Sequence, residues 1–150
     1  MSNIKLNKIF KTACIASDHA GFKLKEDIKD YLIDNNLSVF DLGPYNDRSV
    51  DYPDYAKRLG NRIKLKKSNV GILVCGSGTG MAISANKIKT IRAAVCYNLK
   101  STRLSRQHNN ANIIALGSRL IKKNMSLKLV EVFLETKFEG GRHLKRVKKI

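Results

Sequence analysis

One stretch constrains the fold of this chain more than any other: Val70-Gly71-Ile72-Leu73-Val74-Cys75-Gly76-Ser77-Gly78-Thr79-Gly80-Met81-Ala82. It starts as a short apolar run of Ile, Leu and Val, the pattern of a strand buried on both faces. Three glycines follow at alternate positions, and Met81 to Lys87 resumes with helix-compatible residues. Strand, glycine turn and helix make the βα unit of an open parallel sheet, where ligands sit beyond the carboxyl ends of the strands. A thiol, Cys75, stands at that end. The amides of Gly76, Ser77, Gly78, Thr79 and Gly80 come next, and glycine lets such amides converge on an anion because no Cβ blocks the approach. The positive end of the following helix favours thiolate over thiol.

The same residues admit plainer accounts. A Cys at a strand end is commonly a small buried hydrophobe. The glycines are spaced G-x-G-x-G, not G-x-G-x-x-G, and the next apolar strand ends at Tyr97-Asn98 without the acid that would hold a ribose. Gly80 is followed by Met81-Ala82, not by the Lys and Ser or Thr of a Walker loop. An anion-binding turn with a thiol beside it remains.

Around this unit, strands at 11–17, 37–43, 70–75, 91–97 and 113–117 alternate with helices at 22–35, 52–65, 79–87, 99–108 and 124–135. Gly140-Gly141 then releases a basic tail, Arg142 to Ile150. Five alternations with short connections predict an α/β fold: a five-stranded parallel sheet with helices on both faces and right-handed crossovers. A chain of 150 residues suits one such domain.

The formal net charge of +17 is large. It leaves open a basic nucleic-acid-binding module, but Lys is spread over every segment and no helix-turn-helix, RNP or zinc-finger pattern is present. No apolar run approaches a membrane span, and residues 1–11 lack a signal-peptide core. Cys14, Cys75 and Cys96 form no C-x-x-C pair, so neither a zinc site nor a disulfide framework is indicated. Three cysteines, an odd number, suit a reducing compartment. The expectation is a cytoplasmic protein that needs no metal and no membrane.

Polar side chains suited to catalysis gather at Asp18-His19, at Cys75-Gly76-Ser77 and at Arg106-Gln107-His108-Asn109, with Arg142, His143 and Arg146 in the tail. Each has a structural alternative: Asp18 as a helix cap, His108 as a helix-terminal residue satisfying carbonyls, the tail as a solvated basic segment. Together they are a thiol base, an oxyanion cradle, an acid/base histidine and a phosphate clamp. Arg142 and Arg146 are four apart, so on a helical turn they share a face, and two guanidinium forks suit a phosphate.

Here the chain resembles the type B ribose-5-phosphate isomerase family, which also holds the galactose-6-phosphate isomerase subunits. The matching pieces run in order from Ser17-Asp18-His19-Ala20-Gly21-Phe22-Lys23-Leu24-Lys25 through Val50-Asp51-Tyr52-Pro53-Asp54-Tyr55-Ala56 and the glycine turn. They continue to Leu104-Ser105-Arg106-Gln107-His108-Asn109, Leu116-Gly117-Ser118-Arg119 and Glu139-Gly140-Gly141-Arg142-His143. The resemblance implies an aldose–ketose isomerase acting on D-ribose 5-phosphate and D-ribulose 5-phosphate, in the non-oxidative branch of the pentose phosphate pathway. Galactose-6-phosphate or allose-6-phosphate isomerisation is the alternative within the class. It implies a single Rossmann-like three-layer domain with a five-stranded parallel sheet, no cofactor, a sugar-phosphate ligand, and a homodimer or dimer of dimers with sites at the interface. It makes Cys75 the base and His108 the ring opener. The amides from Gly76 to Gly80 would hold the enediolate, Asp18, His19 and Asn109 the sugar, and Arg119, Arg142 and Arg146 the phosphate. Residues 13–150 are the isomerase domain on this reading, and residues 1–12 an extension without a counterpart. The family's alternative base, a glutamate after the turn, is here Met81; Ser77 stands where some relatives carry Thr, either hydroxyl being able to orient the thiol.

Overall fold

A computed structural model describes residues 9–150. Most of the expected extension, residues 1–8, lies outside the described residues. Ile9 donates its amide to Leu134 O, and Phe10 packs against the core.

The strands are β1 Thr12–Ser17, β2 Ser38–Asp41, β3 Gly71–Cys75, β4 Ala93–Val95 and β5 Ile113–Gly117. The helices are α1 Phe22–Asp34, α2 Tyr52–Lys64, α3 Thr79–Ala85, α4 Leu99–Asn109, α5 Lys123–Glu135 and α6 Gly141–Val147. All pairings are parallel, in the order β2-β1-β3-β5-β4. The expected fold is therefore the observed one. The expected tail is not a tail: Arg142 to Val147 forms most of α6. Its short apolar content hid it, because only His143 is buried there. The edge strand β4 is also shorter than its apolar run.

Strand alternation builds two cores. Ala13 and Ile15 of β1 join Ile72 and Val74 of β3 against α1 and α5, where Ile28, Leu32, Leu129 and Phe133 are fully buried. Cys14 and Ala16 join Leu73 and Cys75 against α2 and α3, through Ala56, Leu59, Met81 and Ala85. Lys25 on α1 is fully buried, and its ammonium meets both oxygens of Asp41 at 2.8 Å, which ties α1 to the end of β2. Burial alone would raise the Asp41 carboxyl, but the hydrogen bonds from Lys25, the Gly43 amide and Lys29 together outweigh it and hold the group below its ordinary value. Among the described residues no helix is long and apolar enough to cross a membrane.

Candidate active site

The chain runs from β1 outward to β2 and then returns across β1 to β3, so the strand order reverses between β1 and β3. Such a switch point opens a crevice at the carboxyl edge of the sheet. Here it holds a cavity of about 310 Å³ lined by Asp18, Tyr52, Cys75, Gly76, Ser77, Gly80, Arg119 and Leu120.

Each wall has a local cause. Asp18 follows β1, and its Oδ1 accepts the Gly21 amide at 2.9 Å, closing the turn into α1. The carboxylate thus has the structural role expected of a turn former while still facing the cavity. Cys75 ends β3, and its Sγ accepts the Gly78 amide at 3.1 Å. Gly78 reaches the position with φ of +79°, a conformation that side chains rarely adopt. Ser77 Oγ accepts the Thr79 amide at 3.3 Å, so its hydroxyl supports the turn itself. Arg119 follows β5, where its amide donates to Gly76 O at 3.1 Å. Its guanidinium lies so close over Gly76 that a Cβ there would stand 3.0 Å from Nη1.

His19 is exposed beside this cavity. Its Nδ1 lies 3.2 Å from both the amide nitrogen and the carbonyl oxygen of Val50, anchoring the 44–51 loop. Tyr52 and Leu120 are cavity residues that sequence reasoning did not single out. The Val50-Asp51-Tyr52-Pro53 match offered a signal for Tyr52, whose ring lies 2.8 Å from where a Gly80 Cβ would be.

The other candidates lie elsewhere. Helix α4 starts at Asn98, whose Oδ1 accepts the Ser101 amide, and stops where Asn110 turns left-handed at φ of 47°. The loop after it sits at the amino edge of the sheet: Gly71, which begins β3, donates to Asn112 O at 2.9 Å. Asn109 lines a separate cavity with Ala93 and Ala94 of β4. His108 and Asn109 are therefore removed from Cys75 by the run of β3, roughly 13 Å at ~3.3 Å per residue.

Around His108 a second cluster forms. The His108 and His143 rings stack 4.1 Å apart, 11° from parallel. Glu139 Oε2 lies 4.0 Å from His108 Nε2 and 3.7 Å from His143 Nε2. Burial and the neighbouring His108 and Arg142 push His143 below the ordinary histidine value. Arg142 and Arg146 project from α6 into solvent. Arg106 anchors this end: it is 5% exposed, and its guanidinium donates to Thr136 O, Asn110 Oδ1 and Ala111 O. Burial, with Arg92 nearby, brings it down to about 10.

One chain thus brings together Asp18, Cys75, the glycine turn and Arg119. It does not bring His108, Asn109, Arg142 or Arg146 to them. The remaining thiols are core residues: burial pushes Cys14 up to about 11 and raises Cys96 as well.

The family model described as "Ribose/Galactose Isomerase" matches residues 13–150. Ribose-5-phosphate isomerase B of Escherichia coli is 39% identical over 140 residues, covering 93% of this chain and 94% of its own. The crystal structure of a ribose 5-phosphate isomerase from Thermotoga maritima superposes with a TM-score of 0.90 at 48% identity, covering 92% of this chain and 95% of that one. Ribose-5-phosphate isomerase B from Mycoplasma genitalium, solved with bound ribulose-5-phosphate, gives a TM-score of 0.87 at 42% identity, with 92% of each chain covered.

Proposed function

This chain belongs to the ribose/galactose isomerase family, and from that premise we propose that it interconverts D-ribose 5-phosphate and D-ribulose 5-phosphate. The observation that carries the mechanism is the Gly78 amide on the Cys75 sulfur, at a switch-point cavity beside Asp18 and Arg119.

In this reading the Cys75 thiolate removes the C2 proton of the open-chain aldose. Charge moves onto the carbonyl oxygen, where amides of the turn receive it, giving a cis-enediolate. The O2 hydroxyl proton passes to O1, and the Cys75 thiol returns its proton to C1. Asp18 and His19 orient the sugar, and Arg119 holds phosphate. No step draws on a cofactor.

The ring-opening His108, with Asn109 and the further phosphate ligands Arg142 and Arg146, comes from a second copy of the chain. The separation along β3 supports this, since His108, Asn109, Arg142 and Arg146 lie at the wrong end of their own sheet. Exposed Tyr52 and Leu120 at the cavity, and Ile83 on α3, offer apolar surface for that copy to cover. Homodimerisation, a cytoplasmic setting and a place in pentose phosphate interconversion belong to the same proposal.

The test is a coupled assay on pentose and hexose phosphates with the wild-type chain and with Cys75→Ser. The wild-type chain turns over ribose 5-phosphate best. Cys75→Ser keeps the fold and substrate binding but loses turnover by roughly 10²–10⁴-fold, the usual contribution of a proton-transferring base. Near-normal exchange of the C2 proton in Cys75→Ser would reject the thiolate and turn attention to Asp18.

A further inference from the structure

We propose that a basic cavity at the amino edge of the sheet is a second anion site, built for a small ligand that carries two or more linked phosphates. The cavity encloses about 330 Å³. Lys64 and Lys66 at the end of α2, Arg92 before β4 and Arg106 on α4 line it, and among the described residues no acidic side chain does. It shares no lining residue with the cavity at Cys75.

The two guanidiniums are fixed before any ligand arrives. Arg92 donates from Nε to Asn110 O at 3.0 Å and from Nη1 to Thr90 O at 3.3 Å. Arg106 donates from Nη1 to Asn110 Oδ1 at 3.0 Å, so Asn110 holds both. Asn112 completes the frame: its Oδ1 accepts the Arg92 amide at 2.8 Å, and its Nδ2 donates to Thr90 O at 2.9 Å. All of these acceptors are neutral. Among the described residues neither arginine has a carboxylate partner, and neither Nη2 donates a hydrogen bond.

This leaves positive charge without a counter-charge. Arg106 is 5% exposed, and a cation so buried is normally paired. The Phe10 and Phe133 rings, 5.1 and 5.6 Å from its guanidinium, offset only part of that cost. Burial and the nearby Arg92 lower it to about 10, as expected where like charges meet. Residues 1–11, which lead to the cavity wall at Phe10, contain Lys5, Lys8 and Lys11 and no acid. A guanidinium fork donates two parallel N–H bonds to a phosphate, and two forks at one cavity suit two phosphates. Lys64 and Lys66 are exposed and add charge where the ligand enters. These four cations match the roughly three to four negative charges of two or three linked phosphates near neutral pH. The buried position of Arg106 suits a compact ligand that enters a cavity, not a nucleic acid laid across a surface.

The experiment measures binding of inorganic pyrophosphate and of ADP to the full chain by calorimetry, with saturating ribose 5-phosphate present. Salt at about 0.15 M screens diffuse attraction to the basic surface. We expect one ligand per chain, with affinity unchanged in Arg119→Gln. Lys64→Gln combined with Lys66→Asn alters two exposed residues, and Asn tolerates the left-handed backbone at Lys66. The pair weakens binding about tenfold or more, the loss of one charged contact. Arg92→Lys keeps the charge but loses the fork, and weakens binding as well. Equal affinity for pyrophosphate and ADP assigns recognition to the diphosphate alone, and tighter ADP adds a contact to the nucleoside. Absence of stoichiometric binding, displacement by ribose 5-phosphate, loss in Arg119→Gln, or binding that survives all three substitutions in the cavity would overturn the site. So would a single-stranded oligonucleotide that displaces pyrophosphate at equal phosphate concentration, which would make this edge a nucleic-acid surface.

Discussion

The two edges of the sheet are built by different means. At the carboxyl edge, main-chain groups make the cradle: the Gly78 amide meets Cys75 Sγ, the Gly21 amide meets Asp18, and Arg119 is seated by its bond to Gly76 O. At the amino edge, side chains make the cluster: buried Arg106 ties three acceptors together, and two imidazoles stack beside a carboxylate. A main-chain cradle is fixed as soon as the strands and turns form. A side-chain cluster depends on one or two central residues. The carboxyl edge is thus vulnerable in its chemistry, and the amino edge in its stability.

Arg106→Ala probes that contrast most strongly after the loss of the thiol. It leaves Ala111 O without its donor in the interior, and Thr136 O and Asn110 Oδ1 without theirs at half-buried positions. Charged hydrogen bonds of this kind contribute about 1.5–3 kcal/mol each, so a net loss of about 3 kcal/mol is expected in urea unfolding. Iodoacetamide labelling of Cys75 in the still-folded fraction should be unchanged. Equal disturbance of Cys75 labelling would show that the two edges are coupled.

His108→Ala separates the chemistry of the edges. Ribose 5-phosphate is mostly cyclic, whereas ribulose 5-phosphate cannot close a furanose. Turnover from the aldose should fall roughly 10²-fold, in line with loss of a general acid/base. Solvent exchange into ribulose 5-phosphate should survive in part. Equal loss in both directions would give His108 a share in proton transfer.

The smallest effect concerns the Lys25–Asp41 contact near the carboxyl edge. The carboxyls of Asp41 and Glu26 sit below their ordinary values: burial opposes this, and the contacts with Lys25 and Lys29, joined at Asp41 by the Gly43 amide, together override it. A depressed folded value means stability that is complete above the unfolded carboxylate range near pH 4 and lost as pH falls below it. Glu26 is partly exposed, so screening reduces its share. Asp41→Asn should flatten the acid limb of the stability curve by about 1 kcal/mol, read from urea midpoints between pH 3 and 6. An unchanged acid limb would show that the contact contributes nothing there.

Much of this was legible in the residues. The apolar run before Cys75, the glycine spacing and five alternations of strand and helix carried the sheet and its carboxyl-edge site. Asp18 and Cys75 meet because each stands at a strand end, and strand ends are what periodicity locates best; Arg119, after β5, was legible only through the family resemblance. Helix α6 escaped notice because Gly141-Arg142-His143-Leu144-Lys145-Arg146-Val147 has too little apolar pattern; its docking relies on a stack between two histidines distant in sequence. In the sequence Tyr52 marks a helix start, and only the three-dimensional approach to Gly80 places it on the cavity. The separation of His108 from Cys75 follows from the direction of α4, which runs back along a parallel sheet. Motif order alone does not carry that direction.

The central claim is that Cys75 of one chain works with His108 of another. Subunit mixing tests it most directly. Cys75→Ser and His108→Ala proteins, each nearly inactive on ribose 5-phosphate, are dissociated together and reassembled. A composite site predicts that every mixed dimer regains one intact site. Random pairing then restores about a quarter of wild-type activity, since half the dimers are mixed and each has one of two sites repaired. Mixed dimers that form, verified by mass, but stay as inactive as their parents would contradict the claim and require both residues to act within one chain.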